Sequence, residues 1–276
     1  MAPVSTQTHL DRIVARTRIL VDERKSAANT ADLERAAAAH TPRGFAKALR
    51  AQRAANTWPA VIAELKKASP SKGIIRPNFD PAALASSLAT NGAACLSVLT
   101  DEEFFQGSLT NLEIASASTT IPCLRKDFMV DPFQMLEARA SRADAILLIA
   151  ASLTDAELTT LAHSAKEHAL DILCEVHDAE ELDRILNLGV AVDLIGVNSR
   201  NLHTFVVDLQ VQFDIAQQIP STVLRVAESG VRTRADMDRL TAAGYDAFLI
   251  GEALMREPDP GAALSALLHR DPAIQT

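Results

Sequence analysis

Cysteine is scarce. The 276 residues contain only Cys95, Cys123 and Cys174. An odd number at wide spacing implies neither a disulfide framework nor a zinc pair, so no metal is expected. The three read as small buried strand residues, and a reducing cytoplasm suits them. Long apolar runs are also missing. None approaches the roughly 18 residues of a membrane span. Met1 to Leu10 is polar and small where a secretory signal has an apolar core. Basic charge is in deficit. A net charge of -8 argues against general affinity for nucleic acid or anionic membranes, which needs a basic face. It leaves room for a local basic pocket around a small anion. An acidic chain of this kind can be a monomer, and neither a heptad nor an exposed apolar stripe argues otherwise.

The 48% hydrophobic and 22% charged residues can build a sizeable core. No linker or low-complexity segment divides the chain, so residues 1–276 are expected to form a single domain. The first 55 residues read as helix: Leu10, Ile13, Val14, Leu20 and Val21 fall at helical spacing, with Asp11, Arg12 and Arg16 between them. Ala36 to Ala55, rich in alanine and arginine, reads as a packing helix. From Pro59 the pattern changes. Apolar, β-branched runs occupy Pro59–Ala63, Ala94–Leu99, Ile121–Leu124, Ala143–Ala150, Leu170–Cys174, Val192–Val197, Thr222–Ala227 and Ala247–Ile250. Helical stretches such as Pro81–Thr90, Asp155–His168 and Arg234–Ala243 lie between them. Regular alternation predicts a parallel sheet with crossover helices. Eight such units match a (β/α)8 TIM barrel. A doubly wound sheet would want a Gly-rich phosphate loop after its first strand. This chain has Glu64-Leu65-Lys66-Lys67 there. The expectation is an α/β barrel over 56–270 with an N-terminal helical extension over 1–55.

In such a barrel the active site lies at the C-terminal ends of the strands. Alternation puts Glu64 and Lys66 on one face and Leu65 and Lys67 on the other. The same rule aligns Leu124, Lys126 and Phe128, then Leu173 and Glu175, then Gly196, Asn198 and Arg200. Any one of these charges could be a solvated residue where a strand meets its loop. Lys66, Lys126, Glu175, Asn198 and Glu228 together, at one level on five strands, are a site. Lys67, Lys72 and Arg125 read as ordinary solvated charges. Glu252 reads as an acid opening a helix.

Two late strands end in Glu228-Ser229-Gly230 and Ile250-Gly251-Glu252. Glycine there lets backbone N–H groups approach an anion, and the following helix favours negative charge. A phosphate seat is expected around Ser229, Gly230 and Gly251. Pro70, Phe105, Phe128, Leu147 and Leu202 lie near the expected mouth and could hold a flat apolar group. Leu147 could equally be barrel packing.

These residues resemble the indole-3-glycerol-phosphate synthase family. The resemblance is carried by Ile62-Ala63-Glu64-Leu65-Lys66-Lys67-Ala68-Ser69-Pro70-Ser71-Lys72-Gly73, Leu96–Asp101 with Phe104–Ser108, Leu124–Phe128, Glu175-Val176-His177, Gly196–Leu202 and Ala227–Val231. Two departures stand out: Ser199, where the family often has a second Asn, and Ser141-Arg142, where a glycine is common.

The resemblance implies ring closure of 1-(2-carboxyphenylamino)-1-deoxyribulose 5-phosphate with loss of carbon dioxide and water, without metal or organic cofactor. It implies Lys126 as general acid, its pKa lowered toward neutrality by clustered cations and burial. Glu175 is then the base, and Lys66 holds the departing carboxylate and assists dehydration. Glu64 orients Lys66. Asn198 and Glu228 bind the sugar hydroxyls, with Ser69 and Arg200 in support. Two other readings belong to different classes. A Schiff-base aldolase on a similar barrel would also use a strand-end lysine, and a non-catalytic barrel would only bind phosphate. A related phosphoribosylanthranilate isomerase would want a Cys base where this chain has Lys66.

Overall fold

Eight parallel strands close into a barrel in the computed structural model, which describes residues 8–55, 59–200 and 206–269. Three helices come first: α1 (His9–Ala27), α2 (Thr30–Ala38) and α3 (Phe45–Ala55). Strand β1 (Ala60–Leu65) is followed by a small antiparallel hairpin of β2 (Ala68–Ser69) and β3 (Gly73–Ile74). Then come α4 (Pro81–Thr90), β4 (Cys95–Leu99), α5 (Leu109–Ala117), β5 (Cys123–Lys126), α6 (Phe133–Ala140) and β6 (Ala145–Ile149). The second half runs α7 (Asp155–Glu167), β7 (Asp171–Val176), α8 (Ala179–Leu188), β8 (Leu194–Asn198), α9 (Gln210–Ala216), β9 (Leu224–Glu228), α10 (Arg234–Ala243), β10 (Ala247–Ile250), α11 (Glu252–Met255) and α12 (Pro260–Leu268). The barrel closes where β1 pairs with both β4 and β10. Among the described residues, no helix is long and apolar enough to cross a membrane.

Side-chain alternation sorts the strands into two cores. Ile62, Leu124, Leu147, Leu173, Val226 and Leu249 fill the barrel interior. Val61, Val98, Ile146, Cys174, Ile195 and Phe248 point outward into the layer beneath the helices. Both faces are buried, which is why the strands read as near-continuous apolar runs. Those runs underestimate the strands at their functional ends. β5 continues to Lys126, β7 through Glu175 to Val176, β8 to Asn198 and β9 to Glu228. The sheet ladder holds each polar residue in place, so the site stands on strands rather than on loops.

The opposite end of the barrel is held by a repeated device. Asp144, Asp193 and Asp246 each precede a strand. Each accepts a hydrogen bond from the first turn of the strand before it: from the backbone N–H of Cys123 at 2.7 Å, Ile172 at 2.8 Å and Arg225 at 2.8 Å. Asp144 is fully buried and is also paired with His40 and Arg43 from the segment between α2 and α3. Burial pushes His40 below the usual imidazole range despite Asp144.

The N-terminal helices wrap the barrel from end to end. α3 enters the bottom, where Phe45 and Leu49 join the interior core. α1 crosses the other end. It is tied there by Arg16 to Glu103 at 2.7 Å, Arg18 to Glu157 at 2.7 Å, Arg24 to Glu137 at 2.8 Å and Lys25 to Asp131 at 2.9 Å. Those partners belong to loops and helices that follow β4, β5 and β6.

Candidate active site

The C-terminal ends of the strands surround a cavity of about 910 Å³. It brings together Glu64, Lys66, Ser69, Pro70, Phe105, Lys126, Phe128, Leu147, Glu175, Asn198, Arg200, Glu228, Ser229, Gly230 and Gly251. Every expected site residue is therefore on its wall except Leu202, which lies outside the described residues. Leu147 belongs to both environments: it is 2% exposed in the interior core and lines the cavity.

Lys126 stands at the centre. Its Nζ donates to Glu175 Oε2 at 2.9 Å and to Glu228 Oε2 at 2.7 Å. Glu175 is further held by Asn198, whose Nδ2 donates to Oε1 at 3.1 Å. The three charges come from β5, β7 and β9, which the barrel closure turns toward one point. The expectation of a lowered Lys126 pKa is overturned. Its neighbours are anions, not clustered cations. Burial pushes the ammonium down, but Glu175, Glu228 and Glu64 outweigh it, and the pKa rises above the ordinary lysine range. A lysine held as ammonium is a poor amine nucleophile, which counts against the Schiff-base reading at this position.

The two carboxylates are not equivalent. Burial pushes both up. For Glu175 this is outweighed by Lys126 and His177, and it lies well below the usual carboxylate range. Glu228 is pulled down by Lys126 alone and pushed up by Glu175, so it rises to about 8. Its Oε1 is buried without a hydrogen-bond partner.

Lys66 lies across the mouth and donates to Glu64 Oε1 at 2.7 Å, as the shared strand face requires. Gly251 makes room for this pair, because a Cβ there would come 2.3 Å from Glu64 Oε1. Ser229 and Gly230 both have left-handed backbones, with φ of 61° and 78°. That sharp bend turns the chain between β9 and α10 beside the cavity. Ser199 braces it by donating to the carbonyls of Glu228 and Ser229. Arg200 approaches Glu252 at 3.8 Å, and Arg256 holds the same carboxylate at 2.9 Å. The apolar wall is formed by Phe105 and Phe128, with ring centroids 6.2 Å apart and planes tilted by 40°. Asp101 sets Phe105 by accepting from the backbone N–H groups of Phe104 and Phe105. Gly73, at φ 62°, turns the hairpin that carries Ser69.

Several contributors were not expected. Arg125 is not a solvated charge: it is fully buried and bonded to Asp127 at 2.9 Å, to the Gln134 carbonyl at 3.0 Å and to Glu137 at 3.4 Å. Alternation does point it away from the barrel axis, but α6 covers that face, and Glu137 of α6 and Asp127 meet the charge. Lys67 and Lys72 keep the plain reading, since neither lines the cavity. Gly196 carries no chemistry yet lies under Glu228, and a glycine inside a strand is the sequence signal for such a close approach. His177 touches Glu175. His9, Leu10 and Ile13 of α1 close one side of the cavity, and no local pattern announces that. Among the described residues, no three His, Cys, Asp or Glu side chains converge as metal ligands.

Comparison with known proteins agrees with this geometry. The family model for indole-3-glycerol phosphate synthase matches residues 10–267. A relative named indole-3-glycerol phosphate synthase, from Koribacter versatilis (strain Ellin345), is 58% identical over 259 residues, covering 94% of this chain and 98% of the relative. Among solved structures, 3-hexulose-6-phosphate synthase superposes with a TM-score of 0.60 at 14% identity, over 75% of this chain and 97% of that one. A thiamine phosphate pyrophosphorylase from Pyrococcus furiosus gives 0.57 at 15% identity, over 75% and 93%. At such low identity these two speak for the barrel fold alone. The family match and the 58% identical relative speak for more: the chain belongs to the indole-3-glycerol phosphate synthase family.

Proposed function

We propose that Lys126, Glu175 and Lys66 carry out the family's ring closure in this cavity, converting 1-(2-carboxyphenylamino)-1-deoxyribulose 5-phosphate into indole-3-glycerol phosphate, carbon dioxide and water. The activity is that of a carboxy-lyase of tryptophan biosynthesis. The observation that carries the assignment of roles is the placement of Lys126 Nζ between Glu175 and Glu228, at 2.9 and 2.7 Å, in the mouth of the cavity.

The aryl group lies against Phe105, Phe128, Pro70 and Leu147, and the phosphate against the backbone of Ser229, Gly230 and Gly251. Asn198 and Glu228 take the sugar hydroxyls, with Ser69 and Arg200 in support. Leu202 belongs to the aryl wall in this reading. The ring carbon bearing the carboxylate attacks the ketone, and a C–C bond forms. The ammonium charge of Lys126 stabilises the negative charge developing on the ketone oxygen, and Lys126 then gives that oxygen its proton. The C–C bond to the carboxylate breaks, carbon dioxide leaves, and the electron pair restores the aromatic ring. Lys66 holds the carboxylate until then, with Glu64 aiming it. The new hydroxyl departs as water with a proton from Lys66, and Glu175 takes the proton released from the forming five-membered ring. Two protons are given and one is returned. The net uptake of one proton matches the loss of carbon dioxide from a carboxylate. The aromatic amine supplies the electrons, so the reading needs no cofactor.

The same reading makes the chain one domain, with residues 1–55 an extension of a barrel over 56–270. It works as a cytoplasmic monomer on a small phosphorylated molecule, not on nucleic acid or membranes. The net charge of -8 supports the last point. The test is direct. Purified protein given the substrate should generate indole fluorescence, unaffected by a metal chelator. Lys126→Ala should lower kcat by about 10²–10⁴-fold, the usual worth of a positioned acid. Near wild-type turnover in that variant would remove Lys126 from the chemistry.

A further inference from the structure

His177 follows β7 and is mostly buried, with a side chain 11% exposed. Its Nε2 lies 3.3 Å from Glu175 Oε1, and its Nδ1 lies 3.2 Å from Glu181 Oε2. Glu181 is itself fixed, because the backbone N–H of His177 donates to the same Oε2 at 2.8 Å. The Nε2 contact is one of charge, since that N–H is not aligned for a hydrogen bond. Glu175 lines the main cavity, while His177 and Glu181 line a neighbouring one of about 520 Å³. The imidazole thus stands in the wall between them, behind the carboxylate.

We propose that His177 is a positioning residue for Glu175: an imidazolium clamped between Glu175 and Glu181 keeps the base ionised and fixed while Lys126 gives up its proton. The proposal rests on Glu175 being the base.

The reason is charge. Glu175 faces Lys126 of β5, Glu228 of β9 and Asn198 of β8. On proton transfer, Lys126 ceases to be its counter-ion. A buried carboxylate left beside a second acid would then take up a proton and stop acting as a base. His177 remains as the standing counter-charge on the far side. Burial would push the imidazole down, but Glu175 and Glu181 raise it to about 10, so it stays charged throughout the neutral range. Across the second cavity Asp11, Asp178 and Asp208 favour that charge, while Arg200 there and Lys126 beyond Glu175 oppose it.

The test is kcat and KM against pH, from 5 to 10, for wild type, His177→Gln, Glu181→Gln and Glu175→Gln, each checked for folding by circular dichroism. His177→Gln keeps a polar group of similar reach without the charge. Its KM should stay within about threefold, its kcat should fall about tenfold or more, and its acid limb of kcat should move toward higher pH. Glu181→Gln should keep the acid limb and bring the alkaline limb down toward neutrality. Profiles of both variants that superpose on wild type overturn the proposal. If His177→Gln does not fold, an unshifted Glu181→Gln profile overturns it alone. An inactive Glu175→Gln beside an unshifted His177→Gln leaves the base assignment standing and removes only His177. An active Glu175→Gln removes both.

Discussion

Gly196 lies directly beneath Glu228: a Cβ on Gly196 would sit 2.0 Å from Glu228 Oε1 and 3.1 Å from Cδ1 of Leu173. The first contact is with the end of a flexible side chain, which can swing away. Gly196→Ala should therefore fold, yet push the Glu228 carboxylate off Lys126. Misplacement on the order of 1 Å can cost about 10²-fold in rate. We expect kcat/KM to fall by at least tenfold on that scale, with a shift in melting temperature of only a few degrees. Full activity in a folded Gly196→Ala would show that the Glu228 position is not critical.

Glu228 also sets a pH dependence of stability. Its carboxyl rises to about 8 in the folded protein from an ordinary value near 4.5. Between those values the native state binds a proton that the unfolded chain has released. Stability from this group is therefore present at low pH and declines as pH rises toward 8. Glu228→Gln removes the titration. The variant should match wild type near pH 5 and exceed it by on the order of 1 kcal/mol at pH 8 to 9, while losing activity. Urea unfolding at the two pH values measures this, and a gap that narrows with rising pH would contradict it.

Glu137 is shared by the extension and the barrel wall. It accepts from Arg24 of α1 at 2.8 Å and faces buried Arg125 at 3.4 Å. Arg24 is 39% exposed, so Arg24→Ala should cost at most about 1 kcal/mol, as exposed pairs do. Glu137→Gln leaves Arg125 buried with Asp127 as its remaining carboxylate. It should cost about 2–4 kcal/mol in equilibrium unfolding, because one partner of a buried pair is lost. Equal effects of the two substitutions would mean that Arg125 does not depend on Glu137.

Arg142 has a left-handed backbone, with φ of 66°, on the turn between α6 and β6. It belongs to the Ser141-Arg142 pair, where the family resemblance makes a glycine common. A side chain costs roughly 1 kcal/mol or more in that region. The exposed Arg142 side chain can be removed without opening the core, so Arg142→Gly should be neutral or raise stability by up to about 1 kcal/mol in thermal unfolding. A clear loss would point to an unrecognised role for the guanidinium.

Much of this was legible in the chain. The period of apolar runs announced eight strands, and their alternation separated Lys66 from Lys67 and Glu175 from Cys174. Both facts are local, since a strand sends successive side chains to opposite faces wherever it lies. The strand ends were read too early because hydropathy stops at the first charge. The ladder does not stop while a partner strand supplies hydrogen bonds. Arg125 was misread for a different reason: its burial depends on Glu137, twelve residues away on another element.

What the sequence by itself determined is the fold class, the side of each strand that faces the mouth and the residue types gathered there. These follow from periodicity and from the limited chemistry that charged strand ends can do. What only the tertiary structure decided is who stands next to whom. Lys126 turned out to sit between two acids rather than among cations, which reverses the direction of its pKa. α1 closes one side of the cavity while α3 plugs the bottom, and His177 backs Glu175. Those outcomes depend on distances across the closed barrel, and a charge responds to its neighbours in space whatever their separation along the chain.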